Sequence, residues 1–537
     1  MQKRSLLGFV VAGCIFAAGM AGLAGVGCRR KAPAAAATDT LNRHLDGDPA
    51  TLDPIVTAEE LGILVEDLIF RPLIGIDKER RFVPSIATSW AASSDGLVYD
   101  IRLDPRVRWE DGTAVTSEDV AYTIDRVRDP KIAAVNWKWG FEDVRSIETP
   151  DPTTVIVKFA KPHAERLLAF TLPVVSAAAY RKGAGLDRQP VGSGPYRLES
   201  WTANQRIVLV RRTDADPASA AFARVVFRVI PDGAVRFRAG AAGELDEFRI
   251  SRDQNTSVAG SKEFAARVRI LKVPQLSVAL LRWNLKNPLF ADRRVRLALA
   301  HCWDRAEAAK LLYPPDGAAL LSGPYPAGLP EDAPDVKPVS YDPAESERLL
   351  DAAGYLKGPD GIRKNGDRRM AFEILYPGSQ AISKTIAEIF RTAAKKIGVD
   401  ATLRPLDWAA YTTRFAAGEF DVAPTGQVFI PPHLDQYTYF HSSEVPPKGE
   451  NTGFYRNPEA DRALEAARRE TDPAKRLELD RQVHRILAAD AAADFLWSAD
   501  QFWGISTRVE NVETSPLGLF HFLPGPFGWK PAPPKTK

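Results

Sequence analysis

The stretch from Ser85 to Arg126, SIATSWAASSDGLVYDIRLDPRVRWEDGTAVTSEDVAYTIDR, constrains the fold more tightly than any other part of the chain. Leu97, Tyr99, Ile101 and Leu103 alternate with Val98, Asp100, Arg102 and Asp104. That is the period of a strand with one buried face. Asp111-Gly112 is a turn signal. Thr116 stands where an N-cap belongs, with Glu118 and Asp119 in the first turn behind it. Val120, Ile124 and Val127 then recur at helical spacing. A strand, a tight loop and a capped helix therefore follow one another within about forty residues, a mixed α/β grammar.

The same pattern runs through the chain. Strand alternation recurs at 154–159, 207–210 and 225–229. Thr57 and Glu60 have the spacing of a capping box, and Leu61, Leu64 and Leu68 mark a helical face behind it. Asp342, Pro343 and Gly354 bracket a helix as N-cap, first residue and stop. Between 383 and 398, Ile386, Ile389, Phe390, Ala393 and Ile397 form an apolar face. Asp472-Pro473 opens another helix, with Leu479, Val483, Ile486 and Leu487 inward. In PVGSGPYRLESW (190–201), Gly192 and Gly194 are expected to permit positive φ in a turn ahead of an extended segment.

At 537 residues there is room for about three domain-sized units. Lys and Arg number 71 against 68 Asp and Glu, a formal charge of +3 with no concentrated basic patch, which argues against nucleic acid as a partner. The N-terminus reads as an export signal: Lys3 and Arg4, an apolar Gly/Ala-rich run from Leu6 to Val26, then Gly27-Cys28 and a basic break. Residues 31–40 (KAPAAAATDT) read as a tether. Removing 1–27 leaves a charge of +1. Cys14 precedes Cys28 and Cys302 is alone in the body of the chain, so no internal disulfide is expected there.

Several separated segments together carry a resemblance. W-x(4)-DG-x-x-Y-x-(I/F)-x-L followed by W-x-DG-x-x-(V/L)-T-x-(E/D)-DV spans 90–120. DGDPATLDP (46–54), PVGSGPY (190–196), GELD (243–246), NLKNPLFADRRVRLALAHCWDR (284–305) and WAAYTTRFAAGEFDVAPTGQ (408–427) follow in order. This series resembles the peptide-binding solute receptors of bacterial ABC importers, solute-binding protein family 5, over about 41–503. The resemblance implies an α/β two-lobe periplasmic-binding-protein fold of the class II, cluster C type, with an extra subdomain in the N-terminal lobe. It places a signal peptide at 1–27, a lipidated tether at 28–40, lobe I at 41–70, 189–283 and 499–530, the extra subdomain at 71–188 and lobe II at 284–498. A-G-V-G-C resembles a lipobox ending at Cys28, with V-A-G-C at Cys14 as its rival. The implied protein is a lipid-anchored monomer on the outer side of a bacterial membrane. It would hand a peptide or peptide-like solute to permease subunits served by a separate ATPase.

Candidate ligand residues follow from the same resemblance: Glu59, Glu60, Phe248, Arg249, Gln275, Ser277, Trp408, Gln427, Ile430 and Asp435. Each also has an ordinary structural reading, as a cap, a core side chain or a solvated surface group. In the family's peptide binders an acidic residue meets the ligand's α-ammonium. Here that position falls on Ile430, with Gln427 where the family has tryptophan and Asp435 five residues on. The departure points to an amino-blocked, sugar-like or lipidic solute, unless a loop shift brings Asp435 into the anchoring place. A metal chelate, or a sensory or adhesive role on the same fold, are the other readings.

Chemistry of other kinds finds no motif. The seven histidines show no close-spaced zinc pattern. His301-Cys302-Trp303-Asp304 are consecutive and would point in different directions on a helix. No G-x-S-x-G elbow and no phosphate-binding loop occur. No enzyme activity, cofactor or metal is expected, and Cys302 is expected to be core on the stripe of Val295 and Leu299.

Overall fold

The computed structural model describes residues 39–183, 187–214, 220–429 and 434–533. Residues 39–537 cluster as one compact unit. Four sheets organise it. A four-stranded sheet has the order Thr40–Leu45, Arg224–Val229, Arg206–Arg211, Tyr196–Thr202, with only the first pair parallel. A second four-stranded sheet, wholly antiparallel, runs Ala87–Ala92, Val98–Leu103, Thr154–Phe159, Val144–Asp151. Tyr99, Ile101 and Leu103 face inward from it. Both sheets share one apolar core, which joins Leu41, Ile207 and Phe227 to Ile101, Val157 and Phe170.

The second lobe is built on six strands in the order Ala318–Leu320, Asp494–Ala499, Ser277–Trp283, Val422–Val428, Ala371–Pro377, Asp400–Leu406. Its two faces carry separate cores. Leu281, Trp283, Ile374 and Val422 point into one, Val278 and Leu280 into the other. The strand Ser277–Trp283 belongs to this sheet by its pairing, although the sequence boundary at 283/284 left it with the first lobe.

A three-stranded antiparallel sheet, Glu247–Ile250, Gln501–Ser506, Val268–Val273, stands beside the crossing. The chain enters the six-stranded sheet through residues 274–276 and leaves it at Asp500. Two short, neighbouring connections therefore join the lobes. Other contacts also bridge them: Arg476 pairs with Glu165, Arg80 with Glu331 at 3.0 Å, and the backbone N–H of Ala164 donates to Arg468 O at 2.8 Å.

Local signals meet the structure in detail. Asp342 accepts from Glu345 N at 2.9 Å and starts the helix Pro343–Ala352; Asp472 accepts from Ala474 N and Lys475 N and starts Pro473–Ala489. Cys302 is 3% exposed at the end of the helix Arg293–His301, with Val295 and Leu299 fully buried. Two expectations need correction. The helix Glu60–Ile69 starts after Glu59, and no Thr57–Glu60 capping box forms. Thr57 turns instead to Asp53 O and to Glu66, while Glu59 accepts from Ala50 N. Gly192 and Gly194 are not among the positive-φ residues. They are required because the turn presses on the end of that helix, where a Cβ would come within 2.0 Å and 2.6 Å of Ile69 O.

Among the described residues no helix is long and apolar enough to cross a membrane. Cys14, Cys28 and Ile430 lie outside the described residues.

Candidate functional site

Between the two lobes, at the crossing, lies a cavity of about 700 Å³. Clefts of this size are typical of small-solute sites. Stretches distant in sequence wall it. The helix Glu60–Ile69 contributes Glu60, Ile63, Glu66 and Asp67. The 135–139 loop contributes Asn136, Trp137 and Trp139. It is pinned to the lobe below, since Asn136 Nδ2 donates to Thr57 O at 2.9 Å and Trp137 Nε1 to Pro54 O at 3.1 Å. Residues 273–276 line the crossing, and Asp435, Tyr439, Glu450 and Arg468 come from the second lobe. Trp503, Phe520 and His521 close the back. Phe520 meets Trp503 edge to face at 5.1 Å.

The charges on these walls differ in their partners. Asp435 is gripped by Arg468, whose Nη2 and Nε donate to Oδ2 at 2.5 and 2.7 Å, and it also accepts from Tyr437 N. Arg468 lies flat over Tyr437, 3.8 Å from the ring centre. Glu60 receives Arg249 at 2.7 Å. His521 Nδ1 approaches Asp67 at 3.3 Å. Burial opposes charge on that imidazole, but the hydrogen bond and charge of Asp67 outweigh it and raise its pKa. Burial raises the Glu450 carboxyl, against the opposing pull of Arg282 and a hydrogen bond from Tyr439. Arg282 is itself buried and is lowered to about 10 by that burial. Glu66 is pushed up to about 8 by burial, against the Thr57 hydrogen bond and aided by Asp67, Asp53 and Glu59.

Of the ten candidate ligand residues, Glu60, Gln275 and Asp435 lie on the cavity wall. Glu59 stands one residue before the wall helix with its carboxylate on Ala50 N. Arg249 lies behind Glu60, its guanidinium 5.1 Å from the centre of the Trp503 ring. Phe248 is fully buried in the first lobe. Its ring fills the space left by Gly240 and Gly504, where a Cβ would come within 2.2 and 2.5 Å of it. Ser277 is paired opposite Val428 inside the six-stranded sheet. Trp408 is 54% exposed on the helix Trp408–Ala417 and stacks on Tyr411, away from the cavity lining. Gln427 is buried with neither amide atom hydrogen-bonded.

Sequence reasoning did not find Glu66, Asp67, Tyr439, Glu450, Arg468 or His521. One signal was available for Glu66, an acid set among Leu64, Val65, Leu68 and Ile69 on the inward side of its helix. Arg468 carried none, because it sits on an ordinary charged helix and reaches the cavity only through the packing of lobes. Among the described residues, no three His, Cys, Asp or Glu side chains come together as a metal site.

The architecture has close counterparts. The crystal structure of NikA from Brucella suis in complex with Fe(III)-EDTA matches with a TM-score of 0.80 at 22% identity, over 92% of this chain and 100% of that one. The oligopeptide-binding protein AppA of Bacillus subtilis is 24% identical over 488 residues, 88% of each chain. The glutathione-binding protein GsiB of Escherichia coli is 25% identical over 468 residues, 83% of this chain and 85% of its own. The fold is thus the α/β two-lobe periplasmic-binding-protein fold. The model of the bacterial extracellular solute-binding proteins of family 5 matches residues 81–447, more than half of the sequence, and the chain belongs to that family.

Proposed function

We propose that this protein is the lipid-anchored receptor of an ABC importer, acylated at Cys28, which captures a small peptide-like solute and presents it to membrane permease subunits. The observation that carries this reading is the cavity at the lobe crossing, walled from both lobes and rich in aromatic and paired polar groups. A solute there would be enclosed when the lobes meet, and hinge closure about two short connections is the simplest movement that admits it. Relatives named for oligopeptides and for glutathione support a peptide-like cargo.

Asp435 bears on the form of that cargo. Its carboxylate is neutralised by Arg468, so it is not a free anchor for an α-ammonium. An amino-blocked peptide fits this wall better than a zwitterionic one. Native mass spectrometry of the full chain, purified in detergent, is expected to show a retained solute of peptide size. The absence of any retained solute, together with no binding from a mixed library of free and N-acetylated peptides, would refute the reading. For the anchor, a fatty-acid probe should label wild type and Cys14→Ala but not Cys28→Ala. Labelling lost only in Cys14→Ala would reassign it.

A further inference from the structure

Glu66 is 3% exposed, yet the residue belongs to the cavity wall. Thr57 Oγ1 lies 2.5 Å from Glu66 Oε1 and 2.8 Å from Asp53 O. A hydroxyl has one hydrogen and cannot donate to both. The contacts are satisfied together when the carboxyl itself carries a hydrogen, donates it to Thr57 Oγ1, and Thr57 donates to the Asp53 carbonyl.

Among the described residues no cation pairs with Glu66. On the same helix, Glu60 is held by Arg249 and Asp67 faces His521 of the C-terminal segment. At its start, Glu59 accepts from Ala50 N. In the preceding segment, Asp53 is engaged by Arg126 at 2.8 Å and by the Tyr180 hydroxyl at 2.6 Å. The cations named here are thus committed to other acids, and the neighbouring charges that raise the Glu66 carboxyl are Asp67, Asp53 and Glu59. An ionised carboxylate here would be buried without an opposite charge, which is costly. The other acids on the wall differ: Asp435 has Arg468, and Glu450 has Tyr439.

We propose, resting on the solute-binding reading above, that Glu66 is the specificity residue for a cationic group of the solute. An ammonium or guanidinium entering the cavity pairs with the carboxylate, the carboxyl proton leaves to water, and Thr57 turns its hydrogen to the anion. One positive charge enters the site and one leaves it. The protein thereby selects a basic side chain rather than an α-ammonium, and releases one proton per solute bound.

The test is calorimetry on the full chain in detergent with N-acetyl-Ala-Arg-Ala-amide and its citrulline isostere, which differ in charge and little in shape. The guanidinium stays charged throughout the range used. The arginine peptide should bind about tenfold or more tighter at pH 8. Its affinity should rise about fiftyfold from pH 6 to pH 8, as the ionised share of the carboxyl grows. At pH 6, buffers of different ionisation enthalpy should report close to one proton released. Glu66→Gln, whose amide can donate to Thr57 as the acid does, should abolish the preference and the proton release without lowering the melting temperature. Equal binding of the two peptides without proton release, or a preference that survives in Glu66→Gln, overturns the role of Glu66 and leaves solute capture standing. Binding of neither peptide to either protein overturns the peptide-like cargo and this inference together.

Discussion

Glu66→Gln exchanges one oxygen for nitrogen at a position 3% exposed, and its effect on stability should depend strongly on pH. In the unfolded chain a glutamate ionises near its ordinary value of 4.5, whereas in the fold it keeps its proton up to about 8. Between those values the native state holds one more proton than the unfolded state. Stability from this group is therefore fully present below pH 4.5 and falls as pH rises towards 8. Each pH unit costs about 1.4 kcal/mol while the native carboxyl stays neutral and the unfolded one is charged. From pH 5 to pH 8 the loss amounts to about 3–4 kcal/mol. Glutamine resembles the neutral acid, keeps a donor for Thr57 and ionises in neither state. The variant should match wild type near pH 5 and exceed it by about 3–4 kcal/mol at pH 8. Urea unfolding of both proteins at half-unit pH steps measures the difference, and other titrating groups, His521 and Asp480 among them, cancel in the comparison. Parallel stability curves would show that Glu66 is already ionised in the cavity and would remove the basis for its role in recognition.

Cys302→Ala should cost about 1 kcal/mol of stability and leave solute affinity unchanged, because the thiol is buried, donates to Leu299 O and is held protonated by that burial; rapid labelling of the native protein by a bulky thiol reagent would contradict the burial. Asp494→Asn should destabilise the second lobe by about 3–5 kcal/mol, since the buried carboxylate holds Arg305 and accepts from Trp303 Nε1 at 2.9 Å; a change under about 1 kcal/mol in urea unfolding would refute it. Arg476→Ala removes the bridge from the helix Pro473–Ala489 to Glu165 of the first lobe and should weaken solute binding about ten- to hundredfold with a larger radius in small-angle scattering. An unchanged affinity would mean that this contact does not help to hold the lobes together.

Much of the local structure was legible in the residues. The inward run of Tyr99, Ile101 and Leu103, the caps at Asp342 and Asp472, and the stripe of Val295, Leu299 and Cys302 all follow from periods of two and 3.6 and from the chemistry of helix ends. Such signals are decided within a few residues, so the sequence by itself determined which segments become strands or helices and which side of each turns inward. It did not determine what lies opposite. Ser277–Trp283 joined the second lobe because its hydrogen bonds go to Val422–Val428 and Asp494–Ala499, more than a hundred residues away. Phe248 went into the core because Gly240 and the distant Gly504 leave room for its ring, and Trp408 turned outward. The cavity is a meeting of distant segments that share no local pattern. Whether an acid on its wall is free or spent is decided by which cation packing brings to it: among the described residues, Asp435 received Arg468, Glu60 received Arg249, and Glu66 received a threonine hydroxyl in place of a cation. Charge pairing at a few ångströms depends on tertiary neighbours, and no spacing along the chain encodes it.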